Sequence, residues 1–336
     1  MAKRHLSLKD LASELNISIS TVSRALKNHP DISPELTRKI QELATVRNYV
    51  PNPLAMGLLK QETRMIGVIV PDLVTHFYSS IISGIEECAK NRGYFILLAS
   101  SYESMEKEIE AVSNLLKARV DGMIVCLSKE TNCFDHFLHL IGNEIPLVFF
   151  DRVCLSELVP CVIVDNKEAV NQIISHLSQR GYQRIAFISG PAHLSISSSR
   201  IEGYRIGLEK AGLEFDPALL RPCNMETEET IQIIDELLAL PNPPDAFFGI
   251  NDMVIFTVMK ELKKRGIKTP EEIGIVGFAD EFHATFSSPE LTTITHPTRE
   301  IGLKAAEFFF RKIDDPSFVE TIVLPTHLVV RESSEK

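Results

Sequence analysis

The sequence SLKDLASELNISISTVSRALKN, residues 7–28, predicts two short helices joined by a tight turn. Ser7 and Ser18 each precede an apolar pattern of helical spacing, at a position where a serine side chain caps a helix. The apolar positions are Leu8, Leu11, Ala12 and Leu15 in the first helix and Val22, Ala25 and Leu26 in the second. A short helix with small polar residues at an exposed N-terminus fits the major groove of DNA, because its first residues point at base edges. The alternative interpretation is a helical hairpin that packs on another part of the protein.

A third helix is predicted to start at Ser33-Pro34-Glu35, which combines a cap, a proline in the first turn and an acidic residue. Its apolar positions can close a small three-helix core with the first two helices. Those positions are Leu36, Ile40, Leu43 and Ala44. About fifty residues suffice for such a domain, although its stability is marginal.

Residues 52–60, NPLAMGLLK, follow this domain and amount to barely two helical turns. Asn52 can cap a helix there, but Gly57 and the short length make such a helix unstable in isolation. The segment is therefore either a linker or a hinge helix that forms only when two copies meet in the minor groove. In the second case Leu58 acts as an apolar wedge between bases.

Charge is divided unevenly along the chain. The 336 residues carry a net charge of −10, but residues 1–60 hold nine Lys and Arg against five Asp and Glu, a balance of +4. The remaining 276 residues hold 26 against 40, a balance of −14. A basic head on an acidic body is the distribution expected when only the head meets phosphate.

The composition also indicates a cytoplasmic protein. The first ten residues, MAKRHLSLKD, contain no apolar segment of a secretory signal, and no apolar run is long enough to span a membrane. The six cysteines are scattered, without a CxxC pair or histidines at metal-ligand spacing, and are predicted to be reduced structural thiols. We therefore expect neither a metal nor a cofactor.

From residue 65 onward, strands and helices are predicted to alternate. Met65–Val70 is a continuous apolar run that ends in Pro71-Asp72, a pattern typical of a buried parallel strand. The predicted order continues with helix 81–91, strand 95–99, helix 105–118, strand 122–125, helix 134–141, strands 147–150 and 162–164, helix 168–180, strand 185–189, helices 200–211 and 230–240, strand 246–248, helix 253–264 and strand 273–278. Such alternation predicts two doubly wound parallel sheets in series, with a ligand cleft where the carboxyl ends of their strands face each other.

Taken together, ISISTVSRALK, the third helix, YVPNPLAMGLLK and MIGVIVPDL resemble the lactose-repressor (LacI/GalR) family of transcription regulators, and the resemblance covers the whole chain. It implies an all-α helix-turn-helix head on a two-lobed, periplasmic-binding-protein-like α/β body, with three chain crossings between the lobes. On this basis residues 1–50 form the DNA-binding domain, 51–63 the hinge helix and linker, and 64–336 the effector-binding and dimerisation domain. Lobe 1 is expected at about 64–161 and 294–323, and lobe 2 at about 162–293 and 324–336.

The resemblance also implies roles in DNA binding. Ile19, Ser20 and Arg24 occupy positions that read bases, Thr21 and Ser23 occupy positions that contact phosphates, and Leu58 occupies that of an intercalating leucine. A thymine methyl group is a reasonable contact for an exposed isoleucine at position 19. The complete set of candidate DNA-binding residues is Ser18, Ile19, Ser20, Thr21, Ser23, Arg24, Asn28, Asn52, Ala55 and Leu58.

Polar and aromatic residues just beyond strand ends are the candidates for effector binding. The candidates are Asp72, Phe77, Tyr78, Asp151, Arg152, Arg200, Asn251, Asp252 and Asp280. Carboxylates and amides among aromatic rings suit a sugar or sugar derivative, although each residue alone has a structural role as its alternative. The sequence departs from the family pattern at Gly277-Phe278-Ala279-Asp280, where Ala279 replaces the first aspartate, so Asp280 takes over the contact or the ligand lacks the matching hydroxyl.

The sequence does not support catalysis. It contains no P-loop, no GxGxxG after the first strand and no nucleophile or metal-ligand constellation. The competing class, a sugar-binding protein or sugar-converting enzyme without a DNA role, does not account for residues 1–60. We therefore expect a dimeric regulator, without a leucine heptad for tetramerisation, that binds a pseudo-palindromic operator. Repression is favoured by the resemblance, and both an inducing and a co-repressing effector stay open.

Overall fold

The structure is a computed structural model that describes residues 6–47, 49 and 62–336. The described residues form two compact units, divided between Arg64 and Met65. We refer to the smaller unit as the head and to residues 65–336 as the body.

The head contains the three predicted helices, α1 (Leu8–Leu15), α2 (Ile19–Leu26) and α3 (Pro34–Val46). Ser7 and Asp10 form a capping box at the start of α1, and the Ser18 hydroxyl accepts a hydrogen bond from the Thr21 N–H at the start of α2. Asn16 caps the C-terminal end of α1, and its left-handed backbone turns the chain towards α2. The core of the head is made by apolar residues of all three helices, namely Leu11, Ala12, Val22, Ala25, Ile40 and Ala44.

The first lobe of the body is built on a parallel sheet of six strands with helices on both faces. Its strands are β1 (Met65–Val70), β2 (Phe95–Ser100), β3 (Gly122–Val125), β4 (Leu147–Phe150), β5 (Cys161–Val164) and β11 (Thr321–Leu324), and its helices are α4 (His76–Asn91), α5 (Met105–Lys117), α6 (Asp135–Gly142) and α11 (Thr298–Asp314). The strand order is β11-β5-β4-β3-β1-β2. α4 and α11 approach so closely that a Cβ on Gly302 would lie 2.0 Å from the Ile81 carbonyl oxygen.

The second lobe repeats this architecture. Its strands are β6 (Ile185–Ser189), β7 (Leu220–Pro222), β8 (Ala246–Gly249), β9 (Gly274–Ala279), β10 (Thr292–Thr295) and β12 (His327–Val329), and its helices are α7 (Asn166–Gln179), α8 (Ser195–Ala211), α9 (Thr227–Leu238) and α10 (Asp252–Lys264). The order is β12-β10-β9-β8-β6-β7, and β12 alone runs antiparallel to its neighbour. The predicted fold class, a helical head with two doubly wound parallel sheets, is confirmed.

The boundaries between the lobes differ from those expected. β5 pairs with β4 and β11, so residues 162–164 belong to the first sheet and not to lobe 2. β10 pairs with β9 and β12, so the boundary expected between residues 293 and 294 falls inside a strand of the second sheet. The three crossings lie just after β5, β10 and β11. Hydrogen-bonded pairing decides which sheet a short strand joins, and this pairing is not encoded in the strand's own pattern.

Two helices begin five residues earlier than the sequence predicted. α4 starts at His76, which places Phe77 and Tyr78 in its first turn. α8 starts at Ser195, and its serine-rich beginning is a poor helix former by itself. The burial of Ile196 against the lobe 2 core offsets this weak propensity. Both extensions carry side chains towards the space between the lobes.

Candidate nucleic-acid interface and ligand cleft

The N-terminal end of α2 presents an exposed polar surface. Ser18, Ile19, Ser20 and Arg24 are exposed, and Ile19 retains 47% of its accessible surface. The Ser18 hydroxyl lies 2.7 Å from that of Ser20 and 2.8 Å from that of Thr21. Serine and threonine hydroxyls both donate and accept hydrogen bonds, so this end of the helix can contact either base edges or phosphate oxygens.

The other candidates in the head have different surroundings. Ser23 is half-buried. The guanidinium of Arg24 lies 3.9 Å from the Asp31 carboxylate, and 57% of the Arg24 side chain remains exposed. Asn28, with a left-handed backbone, accepts a hydrogen bond from Gln41 at 2.8 Å. This bond ties the loop after α2 to α3. The remaining candidates lie outside the described residues: Asn52, Ala55 and Leu58.

A cavity of about 420 Å³ lies between the two lobes, at the carboxyl ends of their strands. Eight of the nine candidates for effector binding line it: Asp72, Phe77, Tyr78, Asp151, Arg152, Arg200, Asn251 and Asp252. The structure therefore brings together residues that are separated by up to 180 positions in the sequence. Their contact with an effector stays a prediction.

Asp280 is the ninth candidate and does not line this cavity. Its carboxylate lies 2.8 Å from the guanidinium of Arg331, which also donates a hydrogen bond to the Leu291 carbonyl at 2.7 Å. The expectation that Asp280 takes over from Ala279 is therefore wrong for this arrangement, since Ala279 itself lines the cavity. The physical reason is the antiparallel pairing of β12 with β10, which brings the C-terminal segment alongside residue 280.

Arg200 is the buried cation on the lobe 2 side. Its Nε donates to Asn166 at 2.7 Å, a terminal nitrogen donates to the Ile250 carbonyl, and the guanidinium stacks 3.5 Å above the Phe278 ring. Burial lowers the pKa of Arg200 to about 9, and the Asp151 carboxylate opposes this shift. Arg200 therefore remains charged at neutral pH and is held rigidly by its partners.

The lobe 1 side carries Asp151 and Arg152 directly after β4. Asp151 has a left-handed backbone with φ of 57°, and burial raises the pKa of its carboxyl against the influence of Arg152 and Arg200. Arg152 donates to the Glu103 carboxylate at 2.7 Å and to the Leu127 carbonyl at 3.3 Å. Glu103 was not among the candidates, because it lies in an irregular turn that no sequence pattern singles out.

An aromatic cluster joins the lobes around His296. The His296 ring lies edge-to-face against Phe77 of lobe 1, with centroids 5.2 Å apart, and 5.2 Å from the Phe278 ring of lobe 2. Burial, and then Arg200, lower the pKa of His296 to about 3, so its imidazole is neutral. Both ring nitrogens are buried, and neither has a hydrogen-bond partner among the residues that the structure describes. His296 was not among the candidates, although it directly follows a strand of lobe 2 at the same edge as the other candidates.

Asp252 is a buried carboxylate that lines the cavity and links three segments of lobe 2. Its carboxylate accepts hydrogen bonds from the Glu281 N–H at 2.7 Å and the Thr293 hydroxyl at 2.8 Å. Burial raises the pKa of Asp252 to about 6. These bonds connect α10 to the turn after β9 and to β10. Glu281 in turn accepts a hydrogen bond from the Phe77 N–H at 3.1 Å, which is a contact between the lobes.

The rim of the cleft is closed by residues that we call the rim clasp: Lys129 of lobe 1 and His193, Asn224 and Glu226 of lobe 2. The Lys129 ammonium pairs with Glu226 and donates to the Asn224 carbonyl at 2.9 Å. In the opposite direction, the His193 ring donates to the Lys129 carbonyl at 2.7 Å. None of these four residues belongs to a sequence motif, so the clasp could not be predicted from the sequence.

Glu108 holds the loop that carries Lys129. Its fully buried carboxylate accepts hydrogen bonds from the backbone and hydroxyl of Ser128 at 2.7 and 2.9 Å, from Thr131 at 2.9 Å and from His136 at 3.0 Å. A buried carboxylate with four donors is fully satisfied and stiffens the loop around it. The clasp therefore projects from a rigid base.

The described part of the chain, residues 6–47, 49 and 62–336, contains no group of three or more His, Cys, Asp or Glu residues that could hold a metal ion. Within the same residues no helix is long and apolar enough to cross a membrane. All six cysteines are unpaired in the structure.

A helix-turn-helix with an exposed N-terminus, carried by a two-lobed body with a polar cleft, defines a class of DNA-binding regulators that sense small molecules. Residues 7–52 match the family model of bacterial regulatory proteins of the lacI family, and residues 63–329 match that of periplasmic binding proteins and the sugar-binding domain of the LacI family. The chain belongs to the LacI family, and it is a DNA-binding transcription regulator and not an enzyme.

Individual relatives agree with this assignment. The repressor CytR of Escherichia coli (strain K12) is 31% identical over 299 residues, which cover 89% of this chain and 87% of CytR. A solved complex of the transcriptional regulator CelR with cellobiose is 26% identical, covers 98% of this chain and 100% of its own, and superposes with a TM-score of 0.73. The lac repressor dimer bound to operator and the anti-inducer ONPF shares the fold, with 23% identity, coverage of 99% and 100%, and a TM-score of 0.83.

Proposed function

We propose that this protein is a homodimeric repressor that binds a pseudo-palindromic operator. When a small polar effector occupies the inter-lobe cleft, the protein either releases the operator or binds it more tightly. The observation that carries the proposal is the presence, in one chain, of the exposed polar end of α2 and a cavity of about 420 Å³ lined from both lobes. Its proposed action on DNA supports a cytoplasmic location. Residues 1–50 act as the DNA-binding domain, 51–63 as the hinge and 64–336 as the sensor.

In the proposed complex α2 lies in the major groove. Ile19 contacts a thymine methyl group, and Ser20 and Arg24 bond to base edges, since all three are exposed at one end or face of α2. Ser18, Thr21, Ser23 and Asn28 position the head on phosphates. Asn52, Ala55 and Leu58 act in the minor groove as parts of the hinge.

The proposed effector is a sugar or sugar derivative. Asp151, Asn251 and Arg200 offer acceptors and donors at the edge of the cavity, and Phe77 and Phe278 offer ring surfaces. The description of the matching family domain and the cellobiose in the CelR complex support this class of ligand. Asp72, Tyr78, Arg152 and Asp252 complete the proposed site.

The proposed dimer buries the exposed edge of the first sheet. β2 lies at that edge, and it exposes Phe95 (76%), Leu97 (38%) and Leu98 (41%), with Tyr102 (69%) directly beyond it. An edge strand with exposed apolar residues invites pairing with another chain unless it is covered. A second copy related by a two-fold axis covers it and presents two symmetric heads to two half-sites.

The proposed regulation follows from linkage. An effector changes operator affinity only through its different affinity for two arrangements of the lobes. Operator DNA must therefore change effector affinity by the same factor. The rim clasp and the Phe77–Glu281 bond are among the contacts between lobes that such a change would break or form.

A mobility-shift titration tests the proposal with full-length protein and genomic fragments from the protein's own locus. We expect one fragment to bind at least about a thousandfold more tightly than random DNA of equal length, with two chains in the complex. The titration is then repeated with D-ribose, D-glucose, cellobiose and adenosine, each at millimolar concentration. Equal affinity for every fragment and for random DNA would refute the proposal.

A further inference from the structure

We infer that Glu281 of lobe 2 is a latch that caps helix α4 of lobe 1, so that closure of the lobes orders the first turn of that helix. The latch is a conformational device of the body, formed by two of its own segments. Its consequence for DNA rests on the proposed function, in which the arrangement of the lobes controls operator binding.

The first turn of α4 lacks a cap from its own segment of the chain. The first N–H groups of any helix have no partner within the helix. Thr75 occupies the N-cap position, but its side chain makes no capping bond. Its hydroxyl is buried and has no hydrogen-bond partner among the residues that the structure describes. The turn that starts at His76 also contains no acidic residue, although acidic residues stabilise the start of a helix.

Glu281 supplies the missing acceptor from the other lobe. Its carboxylate accepts a hydrogen bond from the N–H of Phe77, the second residue of α4, at 3.1 Å. The Glu281 side chain belongs to a residue that is only 8% exposed. A carboxylate in this place satisfies an unpaired donor and interacts favourably with the positive end of the helix dipole. The cap of α4 therefore comes from a residue 204 positions further along the chain.

Lobe 2 holds Glu281 in a fixed position. Its backbone N–H donates to the buried Asp252 carboxylate at 2.7 Å. The two preceding residues, Ala279 and Asp280, have φ of 138° and 53°, which are costly for residues that carry a side chain. The Asp280 carboxylate is paired with Arg331 at 2.8 Å. A turn with such strain persists only where the surrounding contacts fix it, so Glu281 projects from a rigid support.

The first turn of α4 also lies against the segment where the chain crosses from lobe 2 to lobe 1. The Phe77 ring packs edge-to-face on His296, which follows β10, with centroids 5.2 Å apart. The Ser80 hydroxyl lies 2.8 Å from that of Thr298, the first residue of α11. A change in the angle between the lobes at this crossing is therefore expected to separate the Glu281 carboxylate from the Phe77 N–H.

Hydrogen exchange of residues 76–80 in the full-length protein tests the cap. Glu281→Ala removes the acceptor and should speed exchange there by roughly 2–30-fold, the range that follows from the loss of a helix cap. Glu281→Gln keeps an acceptor without the charge, so its exchange should be slower than that of Glu281→Ala. Glu300→Ala is the matched control, because Glu300 is an exposed acidic residue in the first turn of α11. Unchanged exchange in Glu281→Ala, or the same increase in the control, would overturn the latch.

A variant at a distance tests whether closure of the lobes orders this turn. Lys129→Ala weakens the rim clasp, where the ammonium bonds to Glu226 and the Asn224 carbonyl. It should speed exchange of residues 76–80 as well, because an opened body withdraws Glu281 from α4. Lys167→Ala should not do so, since Lys167 is paired with Glu202 of the same lobe. Wild-type exchange of residues 76–80 in Lys129→Ala would show that the cap does not depend on closure and would overturn the inferred coupling.

Operator binding separates this inference from the proposed function, because the exchange measurements need neither DNA nor an effector. If exchange changes as expected but Glu281→Ala binds operator with wild-type affinity, the latch stands and the proposed control of DNA binding by the lobes fails. If exchange is unchanged but an effector still alters operator affinity, the proposed function stands and the latch is wrong.

Discussion

Lys129→Ala is expected to open the cleft without unfolding either lobe. The Lys129 side chain is 15% exposed and Glu226 is 61% exposed, so their ion pair lies at the rim, partly shielded from water. Removal of the ammonium breaks this pair and the 2.9 Å bond to the Asn224 carbonyl. The bond from His193 to the backbone carbonyl of residue 129 does not depend on the side chain and remains possible.

The size of the effect follows from these contacts. A partly exposed ion pair contributes up to about 1 kcal/mol, and a hydrogen bond from a charged donor at the rim contributes about as much again. The closed arrangement should therefore lose about 1–2 kcal/mol relative to the open one. This changes the ratio of closed to open molecules by roughly 5–30-fold. Contacts deeper in the cleft, such as the Phe77–Glu281 bond, keep part of the population closed.

Small-angle X-ray scattering and hydrogen exchange measure the change in the ligand-free protein. We expect a larger radius of gyration and faster amide exchange in residues 128–132 and 222–226, with a loss of unfolding free energy no larger than the about 1–2 kcal/mol by which the closed arrangement is weakened. Lys167→Ala is the matched control, since Lys167 pairs with Glu202 within lobe 2 at 2.7 Å. Unchanged scattering and exchange in Lys129→Ala, or the same change in the control, would refute the assignment of the rim clasp as a contact that holds the lobes together.

Three further predictions concern the head and the buried carboxylates. Arg24→Ala should cost about 1–3 kcal/mol of specific operator binding but less than about 1 kcal/mol of unfolding free energy, because its pair with Asp31 is exposed; equal loss on random DNA in anisotropy titrations would indicate a phosphate contact alone. The pKa of Asp252 is raised from 3.8 to about 6, so the folded state favours its protonated form, and its contribution to unfolding free energy should fall by about 3 kcal/mol as pH rises from 4 to above 6. Asp252→Asn should flatten this part of a urea-unfolding pH profile, and an unchanged profile would contradict the assigned cause. Glu108→Ala should destabilise lobe 1 by about 3–5 kcal/mol in urea, because four buried donors lose their acceptor, whereas the exposed Glu110→Ala on the same helix should change stability little.

The local sequence determined where the helices and strands form. Ser7, Ser18 and Ser33 cap the three helices of the head as predicted, because a cap involves only residues within one turn of each other. The alternation of buried strands and helices in the body was likewise readable, since each pattern lies within a few neighbouring residues. Parallel strands bring their carboxyl ends to one edge, and this rule, together with the family resemblance, selected nine effector candidates of which eight line the cleft.

Tertiary structure decided which of these parts meet. The pairing of β5 with β11, separated by about 160 residues, moved residues 162–164 into lobe 1, and the pairing of β12 with β10 brought Arg331 to Asp280. His296 became a cleft residue only because Phe77 and Phe278 from opposite lobes pack against it. Lys129 and Glu226 carry no motif, and their pairing exists only when the lobes face each other. Contacts of this kind depend on the positions of whole sheets, so they follow from the packing of the complete body and not from the pattern of any one segment.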